Sequence, residues 1–182
     1  MSEFANPATT AAGPQADSYA AAVIRALGDR DPVEVMREMP DKLATIVREV
    51  PSSLLGKSEA PGKWSINEVI QHLSDSERNG SFRFRMVMSH DQPDIPAYDQ
   101  DLWAERLGYS ALNVNDALEE FSALRRANVR LFERASESDL ARVGMHSERG
   151  EESLGYMLRL YAGHDIVHLR QIERIRQAIG AQ

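Results

Sequence analysis

The chain contains no cysteine. Disulfides, thiolate-held zinc and a cysteine nucleophile are therefore excluded, and any metal must be held through nitrogen or oxygen. No stretch approaches the roughly 20 consecutive apolar residues of a membrane span. Residues 1–15 have neither a basic start nor an apolar centre, so no secretory signal is expected and the cytoplasm is the expected setting. Basic residues are in deficit: 21 Lys and Arg against 28 Asp and Glu leave a net charge of −7. That balance disfavours nucleic acid and anionic membrane as partners, since both reward a basic surface. Convincing strand patterns and internal repeats are missing as well.

What is present is helical periodicity. A length of 182 residues suffices for one well-buried core. Residues 1–17, small, polar and punctuated by Pro7 and Pro14, are expected to form a flexible segment ahead of a single domain spanning 18–182. A short helix is expected over 18–27, ended by Gly28. Asp31 and Pro32 suit a helix opening, followed by Met36, Met39, Leu43 and Ile46 at helical spacing, with Pro40 expected to bend or divide the segment. Ser65 and Glu68 have the S-x-x-E form of a capping box. They open a helix to about residue 88 that carries Ile66, Val69, Ile70, Leu73, Phe84 and Val87. Glu77 and Gly80 interrupt its core side, which simple packing would not favour.

Residues 91–101 read as a proline-containing crossover, with a turn of helix at 102–106. Asn115 or Asp116 is expected to cap the next long helix, supported by Leu118, Phe121, Leu124, Leu131 and Phe132. Residues 142–152 read as an irregular loop containing His146. Ser153 caps the last helix, which runs to about residue 178 before Gly180. Four main helices with two long connections predict an all-α four-helix bundle whose crossover permits parallel neighbours.

The last helix carries His164 and His168, four residues apart on one face. At about 100° per residue they fall within the apolar stripe of Leu154, Met157, Leu160, Tyr161, Ile172 and Ile175. Two histidines on a core face need a partner. His72 lies on the flank of the second long helix, with Ser76, Asn79 and Arg83 along the same polar edge. If that helix neighbours the last one, three neutral imidazoles would converge and leave a coordination position open, the usual form of a catalytic zinc site. The spacing alone is a weak motif, and satisfied core histidines are the plainer reading.

Several ordered motifs add to this. Trp64-Ser65, Glu68-Val69, His72-Leu73, Asp75-Ser76, Asn79 and Arg83-Phe84 resemble the DinB superfamily, and more closely its YfiT-like branch of metal-dependent hydrolases. Pro96-Ala97-Tyr98-Asp99 with Trp103-Ala104-Glu105, the segment 144–150, and Leu160-Tyr161-Ala162-Gly163-His164 through His168 are similar to the same branch. The resemblance covers residue 30 to the C-terminus. It implies a four-helix bundle with long crossovers, a divalent metal (zinc or nickel) on His72, His164 and His168, and often a homodimer. It also implies a small-molecule substrate, with transfer reactions of low-molecular-weight thiols such as bacillithiol or mycothiol among the known activities. The chain departs from the branch at Gly163, usually Trp, at Val167, usually His, and at Ser147, usually Pro; no ligand is lost.

Asn79, Arg83 and His146 are the candidates for substrate orientation or proton transfer. A surface ion pair is the plain alternative for Arg83, and an exposed loop position for His146. Gln171 and Asp165 are candidates to orient an imidazole, Asp165 being otherwise a solvated helix position. Tyr161 and Met157 read as core, Trp64 as packing at the helix entrance, and Trp103 as core or pocket wall. A dimer seam is conceivable along Leu158, Ala162 and Leu169. The expected function is a metal-dependent thiol S-transferase or hydrolase; the alternative is a non-catalytic metal- or ligand-binding bundle.

Overall fold

A computed structural model describes residues 14–181, with side chains from Tyr19 onward. The elements in order are α1 (Pro14–Leu27), α2 (Pro32–Glu49), α3 (Ser52–Leu55), α4 (Ile66–Ser89), β1 (Asp94–Ile95) and α5 (Gln100–Arg106). A 3-10 turn (Tyr109–Ala111), α6 (Val114–Phe132), α7 (Glu137–Leu140), β2 (Val143–His146), β3 (Gly150–Ser153) and α8 (Leu154–Ile179) complete the chain. Helix α1 begins four residues before the expected position; the rest of the expected flexible segment, residues 1–13, lies outside the described residues. No helix among the described residues is long and apolar enough to cross a membrane.

The cap residues fix the frame. Asp31 accepts from the Val33 and Glu34 amides, and Ser65 and Glu68 form the reciprocal capping box. Ser153 accepts from the Tyr156 amide at the start of α8. The cap of α6 is Asn113, two or three residues before the expected Asn115 or Asp116, because its side chain accepts from the Asn115 amide. The long helices form a four-helix bundle. Helix α4 packs beside α6 and α8, and α2 packs beside the same two, so the consecutive helices α2 and α4 sit diagonally.

Helix α1 adds a layer along α8. It comes so close that a Cβ at Gly163 would stand 2.2 Å from the Val23 carbonyl oxygen. Leu158 and Ala162 are thereby buried within the chain. The dimer seam expected on that face is corrected: the chain's own helix and core occupy it.

Two further expectations change. Residues 142–152 are not an irregular loop but a hairpin, with β2 antiparallel to β3 and parallel to β1. Strands of two to four residues are too short to display the alternation that marks a strand in sequence. Pro40 does not divide α2, which is continuous through it. Proline has no N–H to offer the carbonyl one turn earlier, and the vacated Met36 oxygen accepts a hydrogen bond from Arg125 Nη1 at 3.2 Å instead.

The core is split. One apolar cluster gathers Leu43, Ile70, Phe121 and Ile172; the other gathers Met36, Phe84, Phe132 and Met157. Between them in the sequence of α4, α6 and α8 lie polar side chains that are nonetheless buried: Glu77, Arg125, Asn128 and Asp165. Arg125 is held by both carboxylates, donating to Glu77 Oε2 at 2.8 Å and to Asp165 Oδ1 at 3.0 Å. Asn128 donates to Glu77 Oε1 and Ser81 Oγ, both at 2.7 Å. This explains why α4 carries Glu77 on its core side.

Candidate metal centre

The capping box that starts α4 places His72 two turns inside the helix, where the Trp64 ring packs on it with centroids 5.0 Å apart. Because α4 and α8 are neighbours, the imidazole meets the pair on α8. His72 Nε2 lies 3.1 Å from His164 Nε2, and His168 Nε2 lies 3.0 Å from the same atom. The donor atoms of all three fall within 4.8 Å of one another. His168 Nδ1 is 2.8 Å from Gln171 Oε1. An amide oxygen only accepts, so Nδ1 carries the proton and the Nε2 lone pair faces the cluster.

The environment keeps the imidazoles uncharged. Burial, then His168, drives the His72 pKa well below its ordinary value. Burial does the same for His164, reinforced by His168, His72 and Arg125. Burial lowers His168 to about 4, with Gln171 opposing. Neutral rings this close can share protons only through the Nε2 contacts on His164, whereas a cation between them would take a lone pair from each ring. Three nitrogens about 2.05 Å from one ion stand about 3.3 Å apart in tetrahedral geometry and about 2.9 Å apart at right angles. Both separations from His164 Nε2 fall in that interval, so the residues fit a metal. His72 and His168 are buried and His164 is only partly so, which leaves the cluster approachable from the His164 side.

A wall of polar side chains continues from that side. The Tyr161 ring centroid lies 6.5 Å from that of His164. It rests on Gly80, where a Cβ would stand 2.5 Å from Tyr161 Cε1; this accounts for the second interruption of α4. Burial pushes the Tyr161 pKa up, and Arg83 lies close enough to pull it down against that larger push. Arg83 is buried, donates to the Pro96 carbonyl and has its guanidinium carbon 5.7 Å from the Tyr98 ring centroid. The ion-pair alternative for Arg83 is therefore corrected, since no carboxylate among the described residues pairs with it.

His146 is likewise not an exposed loop residue. It is 4 % exposed on β2, and its Nδ1 accepts from the Glu148 amide at 3.2 Å. Burial, Arg149 and Arg83 push its pKa down to about 3, so at neutral pH its single proton is on Nε2. Arg149 itself is clamped by Glu152 at 2.6 and 3.1 Å. Asn79 is half-buried and spends one N–H on the Asp75 carbonyl at 3.0 Å. Asp165 is fully buried on Arg125, not solvated, and burial raises its pKa to about 6 against the pull of that guanidinium. Ser147 Oγ accepts from the Ala97 amide at 3.0 Å and ties the crossover to the hairpin.

Sequence reasoning did not reach Arg125, Asn128, Tyr98, Arg149 or Glu152. For Arg125 a signal existed: the spacing of Ala117, Phe121, Arg125 and Phe132 puts the arginine on the buried stripe of α6.

Comparison with known proteins agrees with this geometry. The sequence model of the DinB superfamily matches residues 36–172. A relative from Oceanobacillus iheyensis, named as a candidate metal-dependent hydrolase, is 30 % identical over 140 residues, covering 77 % of this chain and 81 % of its own. A similarly named relative from Bacillus mycoides is 29 % identical over 147 residues, covering 81 % and 84 %. Among solved structures, YfiT from Bacillus subtilis, described as a candidate metal-dependent hydrolase of unusual four-helix bundle topology, superposes with a TM-score of 0.76. It shares 25 % identity over 82 % of this chain and 86 % of that one. A mycothiol-dependent maleylpyruvate isomerase shares the fold at a TM-score of 0.61, with 12 % identity over 81 % of this chain and 64 % of its own.

Proposed function

The chain belongs to the DinB superfamily, and on that premise we propose that it is a metal-dependent enzyme acting on a small molecule, as a low-molecular-weight-thiol S-transferase or a hydrolase. The observation that carries this reading is the convergence of His72 Nε2 and His168 Nε2 on His164 Nε2, at 3.1 and 3.0 Å, with all three donor atoms within 4.8 Å of one another. These three would hold zinc or nickel. Such an ion supplies Lewis acidity and lowers the pKa of a thiol or water bound to it.

The protein's own groups do the rest. Gln171 locks His168 in the tautomer that presents Nε2, and Trp64 closes water away from the far side of His72. All three imidazoles are kept neutral by burial, so protons do not compete for their lone pairs near neutral pH. His146 offers its Nε2 proton to a substrate atom, and Arg83 orients the substrate; Asn79, with an amide bond to its own helix, is the weaker contributor. Since the chain has no cysteine, a reacting thiol must arrive as cosubstrate.

Cobalt substitution tests the open position. Absorption spectra of the cobalt-loaded protein, titrated with N-acetylcysteine, are expected to gain a saturable sulfur-to-metal charge-transfer band. A loaded protein whose spectrum ignores both thiol and azide has a closed site, and the non-catalytic alternative then replaces this reading.

A further inference from the structure

Five arginines with described side chains are not exposed: Arg83, Arg125, Arg142, Arg149 and Arg176. Four of them have carboxylate partners. Arg125 has Glu77 and Asp165, Arg142 has Asp91, Arg149 has Glu152, and Arg176 has Glu49 and Glu173. Arg83 has none among the described residues, although it is only 8 % exposed. Its neighbours are a carbonyl oxygen and the Tyr98 and Tyr161 rings. A buried cation without a counter-charge is costly and is retained where something else supplies the charge.

Carboxylates on α4 and β3 are already engaged. Asp75 is bound by Arg78 and the Tyr109 hydroxyl, Glu152 by Arg149, and Glu77 by Arg125 and Asn128. The location is also specific. Arg83 lies eleven residues after His72 on α4, about 16 Å along the axis, and side chains lean toward the helix N-terminus, hence toward the imidazoles. Tyr161 lies between them, its ring centroid 6.5 Å from that of His164 and its hydroxyl under the electrostatic influence of Arg83. Arg83 and the three imidazoles therefore flank one tyrosine on the same side of the bundle.

Resting on the metal-enzyme reading, we propose that the substrate carries a carboxylate received by Arg83 while its reacting end lies at the three histidines. A planar guanidinium matches a carboxylate with two parallel N–H···O bonds. One uncompensated positive charge suits a monoanion better than a phosphate of nearly two negative charges.

The test uses calorimetric titration of zinc-loaded and zinc-free protein with hexanoate, hexanamide and inorganic phosphate, with metal content measured on every sample. Hexanoate is expected to bind saturably and hexanamide not to bind. Arg83→Gln is expected to weaken hexanoate at least tenfold, Arg83→Lys to weaken it less, and Arg126→Gln, an exposed control, to leave it unchanged. Arg83→Lys keeps the charge, so it reports even where Arg83→Gln fails to fold. Absence of hexanoate binding, equal binding by Arg83→Gln or Arg83→Lys, or an Arg83-dependent preference for phosphate overturns the proposal. If metal is retained in those samples, the metal reading survives that outcome; Arg83-dependent binding without metal has the opposite meaning.

Discussion

Replacing Arg125 by methionine removes the buried cation from a layer in which Glu77 and Asp165 have side chains with 0 % exposure. The four hydrogen bonds from its terminal nitrogens to Glu77, Asp165 and the Met36 carbonyl go with it. Removing one partner of a buried ion pair costs about 3–5 kcal/mol, because the other is left charged and desolvated. At about 2–4 °C per kcal/mol for a chain of this size, the melting temperature is expected to fall by roughly 6–20 °C.

The loss depends on pH. Burial already raises Asp165 to about 6 against the pull of Arg125; without that guanidinium the Asp165 carboxyl binds its proton more tightly still. The folded variant then holds more protons than the unfolded chain above pH 4, so its stability falls as pH rises. Urea unfolding of metal-free Arg125→Met and parent protein at pH 5 and pH 8 measures this. The deficit should be larger at pH 8, and the release of His164, whose pKa Arg125 also lowers, acts in the same direction by easing the variant's penalty at pH 5. A deficit below 1 kcal/mol at pH 8, or one equal at both pH values, refutes the account of the buried layer.

Gln171→Leu takes the acceptor from His168 Nδ1 and is expected to weaken zinc binding about 10–100-fold with the fold intact, read by competition with a chromophoric chelator. Gly163→Ala pushes a methyl group into the Val23 carbonyl and should cost about 1–3 kcal/mol. Hydrogen exchange should show α1 losing protection while the metal content is unchanged. For the metal-free protein, the depressed His168 pKa of about 4 gives stability that is complete above the unfolded value of about 6.5. It is lost as pH falls toward 4, about 3 kcal/mol from this residue alone at 1.36 kcal/mol per unit, measured as the difference between parent and His168→Gln.

The helices and caps were legible because each has a local cause: Asp31, Ser65 with Glu68, and Ser153 act on amides two or three residues away. His164 and His168 were legible as a pair for the same reason, and His72 only through its polar flank and its resemblance to relatives. The rest depended on distant partners. Glu77 and Gly80 looked like faults in α4 because Arg125 and Tyr161, which account for them, come from other helices. Pro40 looked like a break because the sequence does not reveal that Arg125 takes over the Met36 carbonyl. His146 looked exposed because strands of four residues or fewer carry too little pattern to announce a hairpin. Gly163 departs from the branch's usual tryptophan, and only the approach of α1 gives the reason.

The central claim is that His72, His164 and His168 form one metal site. Elemental analysis of the purified, tag-free protein beside His164→Ala tests it most directly. One equivalent of zinc or nickel in the parent, and its loss in a variant that retains helical circular dichroism, is the result this account predicts. A parent that holds no metal and takes up neither ion on loading, or a His164→Ala variant that binds it as tightly as the parent, would contradict it.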